Sequence, residues 1–158
     1  MSRSDKLSKL IAVYDEFQLA LDTVEDGNAT MLRENWSKVR GTYVNPIQGV
    51  PRSALAAGME QGLREIPMIF GSMEPASRAI VGKALAMAIA SHYPDFTLKD
   101  KARLEKITNR GSIRGENEYY LVRNRIDILE GDETHLSELV QWYLLIERFD
   151  AKLGGKSR

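Results

Sequence analysis

A chain of 158 residues, 43% hydrophobic and 28% charged, has the apolar content to bury a core as one domain, and its composition is unlike that of a disordered sequence. Its 22 basic residues balance 22 acidic ones, so the chain as a whole offers no generic electrostatic footprint for nucleic acid. The absence of cysteine excludes a disulfide framework, a thiol nucleophile and a thiolate metal site, and no stretch reaches the ~18 apolar residues that a membrane-spanning helix needs.

The first residues lack the apolar run of a secretory signal, so a cytoplasmic location is expected. Residues 4–23 predict an amphipathic helix with Leu7, Leu10, Ile11, Tyr14, Phe17 and Leu21 in one stripe and Ser4 placed to cap it. A second helix is predicted over 29–40, capped by Asn28, with Leu32, Trp36 and Val39 inward. Two prolines and two glycines make 41–52 a non-helical segment, and Tyr43, Val44, Ile47 and Val50 give it enough apolar content to lie on the body. Helix resumes over 53–65 with Ser53 as its cap, and Pro67 is expected to end or kink it.

Pro75 suits the first turn of a helix running to about Ser91. Its stretch 79–90 is apolar almost all round, which predicts a central helix or else an alanine-rich dimer seam. Pro94 is expected to close this segment. A helix over 98–109, a joint at Gly111 and Ser112, and a second helix over 116–130 ended by Gly131 follow. In that second helix Tyr119, Val122, Ile126 and Leu129 recur at steps of three and four, and Arg123 can pair with Asp127 across one turn. Tyr119 to Val122 wrap the helix, so it either runs through the middle of the domain or meets a partner. The last helix is predicted from Thr134 to Phe149 or Ala151, capped by Asp132 or Thr134. The fold class is all-α, a compact, non-regular array of six or seven helices, with 1–151 a single helical domain and 152–158 a flexible basic tail. Trp36, Tyr119, Val122, Ile126, Leu139 and Tyr143 are expected to be buried.

Chemistry is harder to place. His92 and His135 stand in no metal-ligand spacing, and Asp132, Glu133 and His135 read more simply as a helix boundary with its cap. The stretch Gly111 to Gly115 lacks the spacing of a nucleotide loop and follows a helix where a strand is needed. The sequence therefore assigns no catalytic residue, no metal and no cofactor. Charge, however, is segregated. Residues 99–125 carry eight basic against four acidic side chains, and 126–150 carry seven acidic against Arg148 alone. The simplest expectation is that the two segments neutralise each other when packed side by side.

The first functional expectation is a non-catalytic protein-interaction or regulatory module with a protein partner or a second copy as ligand, and no membrane. Tyr120, Leu121 and Trp142 are its interface candidates. An alternative is helix-turn-helix-like nucleic-acid binding through 98–130, with Arg110, Arg114, Asn117, Arg123 and Arg125 as contacts, although Glu116 and Glu118 at the reading end would repel phosphate. A small helical enzyme using carboxylate or histidine chemistry is the second alternative.

Overall fold

Each helix in this chain ends where backbone chemistry requires, and the boundaries locate the elements. In a computed structural model of the chain, which describes residues 5–156, seven α-helices and one 3-10 turn form an all-α array. Helix α1 (Lys6–Leu21) is capped by Asp5, whose carboxylate accepts from Ser8 N at 2.9 Å. The cap expected at Ser4 lies outside the described residues. The cap of helix α2 (Gly27–Val44) comes two residues earlier than expected: Asp26, not Asn28, accepts the free amides of Asn28 and Ala29.

Helix α2 also runs on through Gly41, Thr42, Tyr43 and Val44, which the proline and glycine count had suggested were non-helical. Tyr43 stacks on Trp36 at 5.9 Å and Trp36 on Tyr14 at 4.9 Å, so an aromatic column rewards the extra turn. Pro46 then stops the helix by restricting the residue before it, Asn45. Beyond it Ile47 is exposed, and with Val50 it stands off the body on which both were expected to lie. Helix α3 (Arg52–Phe70) begins after Pro51 with no side-chain cap, so Ser53 has no such role. It contains Pro67 without ending there. The proline sits in the last turn, where its ring is buried and one lost hydrogen bond is offset by packing.

Helix α4 (Pro75–His92) has Pro75 at its first position and buries Val81, Gly82, Leu85, Ala88 and Ile89. It is the central helix, packed against α1 and α3 and against the two helices that follow it, α5 and α6. Tyr93 both closes α4 and caps α5 (Pro94–Arg110), so Pro94 opens a helix instead of closing a segment. Gly111, at φ +79°, terminates α5 in the left-handed conformation. Gly115 precedes α6 (Glu116–Leu129). Gly131 at φ +89° turns the chain beyond it, as its position predicted. Asp132 caps the 3-10 turn Glu133–His135, accepting from Thr134 N at 3.0 Å. Helix α7 (Leu136–Lys156) continues through residues expected to be a loose tail.

The interior is divided. One core gathers buried side chains of α1 to α4 and the start of α5, including Leu10, Phe17, Trp36, Leu63, Phe70 and Val81. A smaller one gathers Ile107, Leu121, Val122, Ile126, Leu139 and Trp142 from α5, α6 and α7. Helix α6 passes between them, packed on α3, α4, α5 and α7, which is why apolar residues wrap it. Its close approach to the first core depends on two glycines. A methyl group at Gly71 would overlap the Tyr120 ring, and one at Gly82 would stand 3.1 Å from Asn124 Oδ1. Asp127 does not pair with Arg123. It faces α4, where Arg78 Nε donates to its carboxylate at 2.7 Å in a buried ion pair. Tyr143, expected inside, is 42% exposed, with its hydroxyl on Glu130.

Candidate functional site: a cleft between the two cores

Helix α5 explains where the surface opens. Only two of its side chains are buried, Phe96 in the first core and Ile107 in the second, eleven residues apart. The helix is thus pinned at both ends. From just after the first anchor to just past the second, Thr97, Asp100, Lys101, Leu104 and Thr108 recur at helical spacing and line a cleft of about 430 Å³. From Thr97 to Thr108 this wall runs about 16 Å along the helix axis.

The floor comes from α3 and α4: Leu63, Leu85 and Ile89 of the first core, with Pro67 and Ala86 beside them. The opposite wall is Leu121, Asn124, Arg125 and Ile128 of α6 with Glu138, Gln141 and Trp142 of α7. The cleft therefore has an apolar bottom and a charged lip.

Charge on the far lip is organised by Glu138. It accepts Arg125 Nε at 2.8 Å and Nη2 at 3.3 Å, and Trp142 Nε1 at 2.8 Å. The guanidinium holds the Glu138 carboxyl below its ordinary range. Asp100 on the near lip behaves oppositely. Burial raises its pKa against the opposing pull of Arg103, 3.2 Å away, and of Arg64. Asn124 Oδ1, on the α6 wall, is buried with no hydrogen-bond partner among the described residues and faces Gly82.

The first turns of α5 are held by a second polar cluster. Glu60, buried on α3, accepts Tyr93 Oη at 3.0 Å, Lys99 Nζ at 2.5 Å, and Lys6 from α1. Burial pushes this carboxyl up, but the three donors outweigh it and bring the pKa down to about 2. One buried carboxylate thereby joins α1, α3 and α5.

Of the residues singled out in the sequence, Arg125, Leu121 and Trp142 meet in the cleft. Leu121 and Trp142 are buried within the chain, so they form no outward patch with the half-buried Tyr120, which packs at Gly71. Arg110 is occupied by Glu118 and by the Ser112 carbonyl at 2.8 Å, and Glu118 also accepts from Arg114 N at 2.8 Å. Arg114 and Asn117 are exposed, and Arg114 and Arg123 make no ion pair among the described residues. Of the five supposed nucleic-acid contacts, Arg110 and Arg125 are held by carboxylates.

The segregated charges also meet less than expected. Arg125–Glu138 is the one ion pair joining 99–125 to 126–150 among the described residues. His92 reaches Glu16, whereas His135 lies 3.6 Å from Asp132 and 3.9 Å from Glu138 on the far lip of the cleft. No group of three His, Asp or Glu side chains among the described residues is placed to hold a metal ion, and no described helix is long and apolar enough to cross a membrane. Sequence reasoning missed Asp100, Leu104 and Ala86. The available signal was the sparse apolar content of α5, too little to cover its own inner face. Comparison with protein-family models, curated proteins and solved structures finds no match in any of the three.

Proposed function

We propose that the protein is a non-catalytic binding module that receives an amphipathic helical segment of another protein in the α5–α6–α7 cleft. The observation that carries this reading is the cleft of about 430 Å³ beside the middle of α5, whose lining includes Leu63, Pro67, Leu85, Ala86 and Ile89. Helix-in-groove recognition places apolar anchors at i, i+3 or i+4 and i+7, a span of about 10 Å that the roughly 16 Å wall accommodates. The rim formed by Asp100, Lys101, Glu105, Arg125 and Glu138 gives such a site a polar border around a dry centre.

Ala86 lies in the floor, so Ala86→Phe would fill the cleft from below with little change elsewhere. A library of helical peptides selected on the wild-type protein, with excess Ala86→Phe protein as competitor, tests the reading. It expects peptides with an apolar i, i+3/i+4, i+7 face that lose at least about tenfold in affinity for the filled variant, the loss of about 1.4 kcal/mol. Peptides that bind both proteins equally would remove the cleft from consideration.

A further inference from the structure

A second cavity, of about 230 Å³, opens between α1, α2 and α3 and shares no lining residue with the cleft. Trp36 and Tyr43 of the aromatic column line it, with Leu32 and Val39 beside them on α2. Helix α3 contributes two glycines one turn apart, Gly58 and Gly62. Gly62 has a packing reason, since a methyl group there would stand 3.1 Å from the Tyr14 hydroxyl. Gly58 has none: a methyl group there would meet nothing within 4 Å. A glycine inside a helix is destabilising relative to alanine, so Gly58 weakens α3 and leaves open space where a side chain would stand.

Charge at this pocket has one sign. Glu65 is the sole charged side chain lining it, and its carboxylate accepts only a neutral hydrogen bond, from Gln61 Nε2 at 3.0 Å. No lysine or arginine lines the pocket. Arg64, next to Glu65 in the chain, donates instead to Gln61, and Arg33 and Arg40 of α2 pair with Asp22 and Asp15. Gln18 Nε2 is engaged by Ser37 Oγ at 2.9 Å, which leaves the Gln18 carbonyl as a further acceptor. We infer that the pocket binds a small organic cation, an apolar ring-sized body bearing one ammonium group. The body would occupy the space beside Gly58, and the ammonium would meet the Glu65 carboxylate. An apolar cavity of ~150 Å³ takes benzene, so this larger one suits roughly nine heavy atoms, such as a phenylethyl group with its ammonium.

Arylalkyl ammonium ions, each paired with its neutral alcohol and its carboxylate counterpart, test this by ligand-observed NMR, with 2-phenylethylammonium as the first probe. The wild type should bind the ammonium members at least about tenfold tighter than either counterpart. Glu65→Gln should remove that preference while still admitting the alcohols. Gly58→Leu fills the pocket from α3, at an exposed position with open space around it, so it should abolish binding and raise the urea midpoint. A wild type that binds none of the ammonium ions at millimolar concentration would overturn the inference. So would equal affinity for ammonium and alcohol, binding that survives in Gly58→Leu, or a Gly58→Leu protein less stable than the wild type.

Discussion

Glu60 illustrates how a single buried carboxylate can hold three helices. Its side chain is 7% exposed and carries hydrogen bonds from Tyr93, Lys99 and Lys6, whereas an isolated ion at that depth would have to give up its charge. The consequence for stability has a definite sign. A carboxyl held near 2 in the folded chain and near its ordinary 4.5 in the unfolded one stabilises the fold fully above about pH 5. That contribution is lost as pH falls towards 2, with about 2 kcal/mol gone by pH 3. Asp100 and Asp127 act the other way, because burial raises both and protonation relieves them. Urea midpoints measured at pH 7 and pH 3 should therefore fall less for Glu60→Gln than for the wild type. Equal falls in the two proteins would show that the cluster contributes nothing.

At the scale of elements, the account rests on how closely α6 approaches the first core. Gly71 has ordinary right-handed backbone at φ −56°, so alanine would be tolerated locally and would even stabilise by about 0.4–1 kcal/mol through the unfolded chain. The Tyr120 ring prevents this by filling the space of the missing methyl. Gly71→Ala should cost about 1–3 kcal/mol in the wild type and turn neutral or favourable in a Tyr120→Ala background. A double-mutant cycle with no coupling would mean that the α3–α6 contact is looser than described. Such contacts explain what the sequence could not disclose. The period of Tyr119, Val122, Ile126 and Leu129 announced the helix, and Gly111 and Gly131 announced its neighbourhood of turns. Nothing local assigned Asp127 to Arg78, 49 positions away, over Arg123, four positions away. Propensity likewise placed a break at Gly41 and at Pro67, where tertiary packing of Tyr43 and of the buried proline ring carried the helix on.

For the molecule as a whole, helix count and central helix were legible because hydrophobic period and helix-end chemistry are local properties. The division of the interior was not, since it depends on which helices meet. Leu121 and Trp142 looked like surplus apolar surface in the sequence, and they turn out to be one wall of an internal seam. The cleft is created by a deficiency in α5, whose two anchors leave three turns without apolar cover. The central claim is that this seam is an open, apolar-floored receptor. Trp142 reports on it from within. In a Trp36→Phe protein, Trp142 is the sole tryptophan, and titration with anilinonaphthalene sulfonate can be followed by energy transfer from it. The account predicts one saturable site with transfer from Trp142, abolished when Ala86→Phe fills the floor. Transfer that is absent, or unchanged by filling the floor, would contradict it.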